Sequence, residues 1–137
     1  MAEELAISPG ASLRVVSRTE QELVLEARYA GGGSPPPAHF HPAQDERFEV
    51  LAGAMRARID GKESELRVGD VLEVPRGTAH QFWNPGEEEA AVRWITVPAG
   101  RTLEFFRELA AATSGSAEAE PATLLERFAD TFRLAGA

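Results

Sequence analysis

The chain has 137 residues, which fits a single domain, and its 43% hydrophobic content is enough for one ordinary core. Acidic residues number 22 against 14 basic ones, a net charge of −8 that repels phosphate backbones and anionic membranes, so we expect neither nucleic acid nor membrane as a partner. Because the chain has no cysteine, disulfides and thiolate ligands are excluded, and any transition metal must be bound through nitrogen and oxygen.

The N-terminal residues are acidic and lack a basic segment followed by a long apolar run, so no signal peptide is predicted. No stretch approaches the roughly 20 apolar residues of a membrane span. These features favour a cytoplasmic protein.

The first third of the chain predicts strands and loops. Residues 1–10 are expected to form a loose lead-in that ends at Pro9-Gly10. Thr19-Glu20-Gln21 is the predicted turn between two half-buried strands, and residues 31–37, rich in glycine and proline, are a predicted loop. The strands are indicated by apolar side chains that alternate with polar ones at Leu13, Val15, Leu23, Leu25, Ala27 and Tyr29.

The middle of the chain predicts short strands in quick succession. Asp60-Gly61 is typical of a two-residue hairpin, and further turns are indicated at Gly69-Asp70, at 75–77 and at 84–86. Many short strands at close spacing favour an all-β antiparallel sandwich or barrel. The predicted strands cover residues 47–52, 54–60, 63–67, 71–74, 79–83 and 89–97.

The pattern becomes helical after Pro98-Ala99-Gly100. Thr102 can cap one helix that Gly115 would end, and after a polar linker at 114–120 Pro121 can open a second. The apolar face of the second helix is predicted at Leu124, Leu125, Phe128, Ala129 and Phe132. Both helices should pack against the barrel or a second subunit, because such apolar faces do not remain in water.

All three histidines of the chain lie close to one carboxylate in the sequence. His39 and His41 are two residues apart, which on a strand places both on one face, roughly 6 to 7 Å apart. Glu46 follows after a short connection, and His80 must come from a strand that is adjacent in space. Three imidazoles and one carboxylate suit Fe, Mn, Ni, Co, Cu or Zn better than Ca or Mg. We therefore predict one divalent transition metal per chain, bound by His39, His41, Glu46 and His80.

Glycines and prolines at fixed spacing surround these ligands and form two blocks. Over residues 33–97 the chain closely resembles the cupin superfamily, whose paired motifs it matches. The first block, residues 33–53, comprises Gly33, His39, His41, Glu46 and Gly53, and the second, residues 69–84, comprises Gly69, Pro75, Gly77, His80 and Asn84.

The cupin resemblance implies an antiparallel, jelly-roll-like barrel with the four ligands in its mouth. The predicted organisation is a barrel over residues 1–100 and a C-terminal helical extension of the same domain over residues 101–137. The stretch from Pro98 through Leu109 also resembles the segment that follows the barrel in flavonol-dioxygenase-like (quercetinase-like) cupins.

Strand alternation predicts the side chains near the metal. If His80 points inward, so does Phe82, two residues further on. An apolar substrate pocket is thus predicted at Phe82, Met55, Ala57 and Ile59, and at either Val92, Trp94 and Thr96 or their neighbours, with plain barrel core as the alternative role of these residues. Arg56, Arg58 and Arg93 are expected in solvent or in ion pairs rather than as substrate clamps.

The leading functional hypothesis is a metal-dependent oxidoreductase, a dioxygenase that acts on a small enol- or diol-bearing, partly aromatic molecule. Glu46 would serve as the general base that takes the substrate hydroxyl proton. Two alternatives remain: a cyclase or isomerase that polarises a carbonyl without O₂, and a non-catalytic module that binds a small ligand. A homodimer is expected, since small barrels often pair their open edge strands.

Overall fold

A computed structural model describes residues 3–113 and 121–135, and within these ranges the chain forms strands and two helices. The helices are α1 (Thr102–Thr113) and α2 (Pro121–Arg127). The strands are β1 (Glu4–Ser8), β2 (Ala11–Arg18), β3 (Leu23–Tyr29), β4 (His39–Phe40), β5 (Asp45–Ala52), β6 (Ala54–Ile59), β7 (Lys62–Arg67), β8 (Val71–Val74), β9 (His80–Trp83), β10 (Ala90–Val97) and β11 (Arg133–Leu134).

Two antiparallel sheets enclose the core. One is six-stranded in the order β1-β2-β3-β10-β5-β8, and the other is five-stranded in the order β11-β4-β9-β6-β7. The prediction of an all-β, jelly-roll-like antiparallel fold with C-terminal helices is confirmed. None of the described helices has the length and apolar character needed to cross a membrane.

The core follows from the alternation of side chains along the strands. On β3, Leu23, Leu25 and Ala27 are buried, and on β10 every second residue faces inward in the same way. Full burial of a leucine contributes roughly 1.5 to 3 kcal/mol. Of the two sets that the sequence left open on β10, the inward one is Val92, Trp94 and Thr96 rather than their neighbours.

The turn between β6 and β7 has the backbone conformation of the predicted hairpin. Asp60 and Gly61 join β6 to β7 with φ of 48° and 83°, the left-handed conformation that this type of tight turn requires at both central positions. Gly53, between β5 and β6, has φ of 71°, and a Cβ there would lie 2.7 Å from the carbonyl oxygen of Glu89. A side chain at Gly53 would therefore require the neighbouring backbone to move.

The N-terminal segment differs from its prediction as a loose lead-in. Residues 4–8 form β1, which pairs with β2 through Leu5 and Leu13. Leu5 and Ile7 alternate with more exposed residues and pack against the core, and a segment this short gave too little periodicity to be recognised. The turn at Pro9-Gly10 is confirmed.

The C-terminal segment is partly as predicted. Helix α1 begins at Thr102 and α2 at Pro121, whereas the predicted linker and its Gly115 stop signal lie outside the described residues. The prediction that α2 continues through Phe132 is wrong, because α2 ends at Arg127. The chain then turns and adds β11 beside β4, which gives the exposed side of that short strand a hydrogen-bonded neighbour.

Candidate metal centre

The fold brings the three histidines together. Strands β4 and β9 are adjacent, and His39 is the register partner of His80, while His41 follows β4 directly. One ring nitrogen from each histidine lies within 4.8 Å of the other two. The convergence expected from their spacing in the sequence is thus present in the structure.

Each imidazole is oriented by a backbone carbonyl. The Nδ1 atoms of His39 and His80 lie 3.2 Å and 3.0 Å from the oxygens of Pro37 and Thr78, and Nδ1 of His41 lies 2.8 Å from the oxygen of Thr131. A carbonyl oxygen only accepts hydrogen bonds, so Nδ1 must carry the proton in each ring. In the neutral ring, Nε2 then presents its lone pair, which is the form that binds a metal ion.

Glu46, on β5, is placed beside two of the histidines. Its Oε1 lies 2.9 Å from Nε2 of His41 and 3.1 Å from Nε2 of His80. Its Oε2 accepts a hydrogen bond of 2.6 Å from the Nε1–H of Trp94. One carboxylate oxygen is therefore fixed by the indole while the other faces the histidines.

Burial and the contacts among these groups shift their pKa values. Burial alone would raise the pKa of Glu46, but its contacts with His41 and His80 outweigh this and hold the pKa well below its usual range. Burial also opposes a charge on His41, yet the neighbouring Glu46 carboxylate raises its pKa. His39 has no such contact, and burial, followed by the effects of His80 and His41, lowers its pKa to about 4. Glu46 is thus an ionised acceptor among imidazoles.

Two buried polar atoms test whether a metal ion fits this centre. Nε2 of His41 and Oε1 of Glu46 have no hydrogen-bond partner among the described residues, although they lie 2.9 Å apart. Because Nδ1 of His41 holds its proton toward a carbonyl, a neutral ring would turn a lone pair toward the carboxylate. A nitrogen lone pair facing a carboxylate oxygen is repulsive unless a cation lies between them. That cation is either a second proton on His41 or a metal ion. Nitrogen and oxygen donors without sulfur suit a divalent transition metal.

A cavity of about 820 Å³, which we call the histidine cavity, opens onto His39, His41 and His80. Aromatic rings pack against one another in its wall. The ring centroids lie 4.6 Å apart for Phe48 and Phe82 and 5.2 Å apart for Phe48 and Trp94. Its larger side chains are Tyr29, Phe48, Phe82, Trp83, Trp94, Phe105, Phe106, Leu109, Leu124, Leu125, Phe132 and Leu134. The site is therefore a set of imidazole nitrogens that could hold a metal ion, beside a largely apolar, aromatic pocket.

The predicted pocket residues divide into two groups. Phe82 and Trp94 line the histidine cavity, whereas Met55, Ala57 and Ile59 lie outside its lining. Met55 and Ala57 are buried core residues, and Ile59 is half-buried opposite His80 in the sheet. Ala57 is the register partner of Phe82, but of the two only Phe82 lines the cavity.

The three arginines are in ion pairs. Arg56 and Arg58 contact Glu63 at 3.1 Å and 2.9 Å, and Arg93 lies 3.8 Å from Glu26. The expectation that they are not substrate clamps agrees with these contacts.

The sequence analysis missed how much the C-terminal segment contributes to the cavity. Phe105 and Phe106 of α1, Leu124 of α2 and Phe132 beyond it all line the wall, and the Thr131 carbonyl orients His41. The amphipathic pattern showed that the helices had an apolar face to bury, and that face packs on the barrel core. The pattern did not show that it lies over the histidines.

Comparison with known proteins identifies the family. The sequence profile of the cupin domain matches residues 25–98, just over half of the chain. The chain is a cupin. The match contains His39, His41, Glu46 and His80, and it ends before the two C-terminal helices.

Two curated relatives are similar to part of this cupin. It is 46% identical over 59 residues, 42% of its length, to the oxidoreductase iacF of Pestalotiopsis fici, of which the match covers 29%. It is 41% identical over 44 residues, 32% of its length, to quercetin 2,3-dioxygenase of Bacillus subtilis, of which the match covers 13%. The chain thus spans less than a third of either relative.

A solved structure similar to this cupin is the RmlC-like cupin of Shewanella frigidimarina NCIMB 400. The TM-score is 0.68 at 18% identity, over 75% of this chain and 89% of the other. At this identity the likeness shows a shared fold and nothing further.

Proposed function

We propose that this cupin is a metal-dependent oxidoreductase, a dioxygenase that acts on a small, partly aromatic molecule with an enol or diol group. The observation that carries the proposal is the set of three imidazoles that line the histidine cavity, with the buried Glu46 carboxylate beside two of them. When bound by His39, His41, His80 and Glu46, a redox-active divalent metal supplies Lewis acidity and electron transfer.

Glu46 is the proposed general base. Its Oε2 is fixed by the indole of Trp94, so Oε1 is the oxygen available to accept a substrate hydroxyl proton. The lowered pKa keeps the carboxylate ionised but also weakens it as a base, so Glu46 would loosen its bond to the metal in order to take the proton. Proton transfer to Oε1 would leave the substrate as an electron-rich enolate.

The cavity wall supports a neutral substrate with aromatic character. Its described lining residues include no lysine, arginine, aspartate or glutamate, so no charged side chain of the wall would bind an ionic group of the substrate away from the metal. The rings of Phe48, Phe82 and Trp94 offer stacking surfaces and exclude water from the base of the cavity. In a dioxygenation both oxygen atoms of O₂ enter the substrate, which itself supplies the electrons.

The named relatives support the same class of reaction. One is called an oxidoreductase and another a quercetin 2,3-dioxygenase. Because those matches cover small parts of the relatives, substrate and reaction type are proposals for this protein.

An oxygen electrode tests the proposal. Protein loaded separately with Fe²⁺, Mn²⁺, Ni²⁺, Co²⁺, Cu²⁺ or Zn²⁺ is offered flavonols and small enediols, and we expect O₂ uptake that equals substrate loss for at least one redox-active metal. The Glu46→Gln variant should lose this uptake, while Arg93→Ala, a change on the outer face of β10, should keep it.

Two outcomes would contradict the dioxygenase. Substrate turnover without O₂ uptake would indicate a cyclase or isomerase. Substrate binding without turnover, for every metal and compound of the panel, would indicate a binding module.

A further inference from the structure

The final described segment lies across the metal centre. We call residues 121–135 the C-terminal strap; it comprises α2, a turn and β11. Within β11, Leu134 is the register partner of His39, and the N–H of Ala135 donates to the oxygen of Ala38 at 2.8 Å. The strap is therefore hydrogen-bonded to the strand that carries the first metal ligand.

The strap supplies the carbonyl that orients His41. His39 and His80 each use a carbonyl two residues earlier on their own segment. Nδ1–H of His41 instead donates to Thr131, 90 residues further along the chain, and both residues are buried. The tautomer of one ligand thus depends on a segment remote in sequence.

Phe132 of the strap fixes a second ligand. Its ring stacks on His39 with centroids 4.4 Å apart and an interplanar angle of 18°, and its edge meets His41 at 5.7 Å. Phe105 of α1 also stacks with Phe132, at 5.2 Å and 18°. The Phe132 ring is therefore parallel to both His39 and Phe105, which restrains rotation of the imidazole.

The strap is itself held firmly on the barrel. Leu124 and Phe128 are buried in the core, at 1% and 3% exposure. The guanidinium of Arg101 donates to the carbonyl oxygen of Arg127 at 3.1 Å and lies 3.2 Å from the carboxylate of Asp130. The Arg101 contacts tie the turn that precedes Thr131 and Phe132 to the residue before α1.

We infer that Thr131 and Phe132 are positioning residues of the metal centre: the Thr131 carbonyl fixes the tautomer of His41, and the Phe132 ring fixes the plane of His39. The inference rests on the proposed metal centre, and it does not depend on the reaction or the substrate. The strap lies outside the residues that match the cupin profile, so this part of the centre belongs to the chain's own extension.

Substitution of Phe132 tests the inference on the full-length protein, with Co²⁺ alone as the probe. We expect Phe132→Leu to weaken Co²⁺ affinity, measured by chelator competition, about 10-fold or more, in the range of roughly 10- to 100-fold typical of lost outer-shell partners. Phe132→Tyr keeps the stacked ring and should stay within about 3-fold of the wild type, with the same Co²⁺ absorption spectrum.

Phe128→Leu is the matched control, since it is the same substitution four residues earlier in the strap. The ring of Phe128 packs on Phe105, 5.5 Å between centroids, and has no described ring contact with a histidine. It should lower the melting temperature and leave Co²⁺ affinity unchanged. If Phe128→Leu weakens Co²⁺ binding as much as Phe132→Leu does, the strap acts through stability alone and the inference fails.

A second measurement needs no metal. Long-range ¹H–¹⁵N spectra of the metal-free wild type should show a proton on Nδ1 of His41, hydrogen-bonded to Thr131. A neutral His41 protonated on Nε2 alone would overturn the role of the Thr131 carbonyl.

The outcomes separate this inference from the proposed function. Normal Co²⁺ binding by Phe132→Leu would overturn the role of Phe132 and leave the metal centre intact. The expected loss in Phe132→Leu, together with no O₂ uptake by any loaded form, would support the positioning role and contradict the oxidoreductase. A wild type that binds no Co²⁺ would contradict both.

Discussion

Two cavities among the described residues differ in chemistry. The histidine cavity, about 820 Å³, has aromatic walls and the imidazole nitrogens of the proposed metal centre. The second, about 620 Å³, is lined by the Gly53 turn and by charged residues, and we call it the Gly53 cavity. There Arg56 pairs with Glu63 at 3.1 Å and Arg67 with Glu65 at 3.5 Å.

The comparison shows that cavity volume alone does not make a site. The histidine cavity adjoins buried polar atoms, in His41 and Glu46, that lack a described hydrogen-bond partner, whereas the arginines of the Gly53 cavity already have carboxylate partners. Chemistry is therefore expected at the first cavity and structural support at the second. Substitutions in each cavity test this distinction.

The largest expected effect is on metal binding in His80→Ala. The change removes a ligand rather than an outer-shell partner, so the affinity for Co²⁺ or Zn²⁺ should fall by more than the roughly 10- to 100-fold that an outer-shell change costs. Chelator competition measures the affinity, with Arg93→Ala as the control on the outer face of a neighbouring sheet. If His80→Ala binds Co²⁺ or Zn²⁺ with wild-type affinity, the proposed metal centre is wrong.

The next effect is on turnover in Glu46→Gln. The amide oxygen can still accept the hydrogen bond of Trp94, so the change removes chiefly the charge and basicity of the side chain. With a substrate found by the oxygen-electrode screen, the rate should fall by roughly 10²- to 10⁴-fold, the usual contribution of a general base. An unchanged rate in metal-loaded Glu46→Gln would exclude Glu46 as the base.

A smaller effect is expected from Trp94→Phe. Phenylalanine keeps an aromatic wall but removes the N–H that holds Oε2 of Glu46, which should lower metal affinity or turnover by roughly 10- to 100-fold. Trp83→Phe is the control, since Trp83 also lines the cavity but has no described bond to Glu46. Equal losses in the two variants would show that the hydrogen bond of Trp94 to Glu46 is not the cause of the loss.

At the Gly53 cavity we expect effects on stability only. Gly53→Ala places a side chain at φ of 71° and a Cβ 2.7 Å from a backbone oxygen, so unfolding free energy should fall by about 1 to 3 kcal/mol in urea denaturation. Gly61→Ala has φ of 83° but no atom within 4 Å of its Cβ, so its loss should be smaller. Weakened Co²⁺ affinity in folded Gly53→Ala would show that the two cavities are coupled.

The smallest effect is expected from Arg56→Ala. The pair with Glu63 is partly exposed, and such pairs are worth roughly 0 to 1 kcal/mol. Urea denaturation should show a change of that size at most, and Co²⁺ affinity and O₂ uptake should match the wild type. A loss of O₂ uptake would give the Gly53 cavity a functional role.

Local patterns predicted the barrel and the convergence of its ligands. These patterns depend on neighbouring residues alone, and the fold keeps each of them. They are the alternation around Leu25, the Asp60-Gly61 turn and the spacing of His39, His41 and Glu46. His80 was harder, because its pairing with His39 joins strands 41 residues apart, and the paired cupin motifs supplied that link.

The C-terminal strap was less predictable because long-range contacts determine its structure. The apolar spacing through Phe132 suggested one continuous helix, yet pairing of β11 with β4 and stacking on His39 take precedence over helical periodicity there. Likewise, alternation identified Met55 and Ala57 as inward-facing but could not show that the cavity lies beyond Phe82. Facing inward and lining the site are separate properties.

The most direct test of the central claim is anomalous diffraction from crystals of the metal-loaded protein. The account predicts one strong anomalous peak per chain among His39, His41, His80 and Glu46, at the roughly 2.0 to 2.2 Å from nitrogen and oxygen that is typical of such ligands. The absence of a peak there in fully loaded crystals, or a peak confined to another part of the chain, would contradict it.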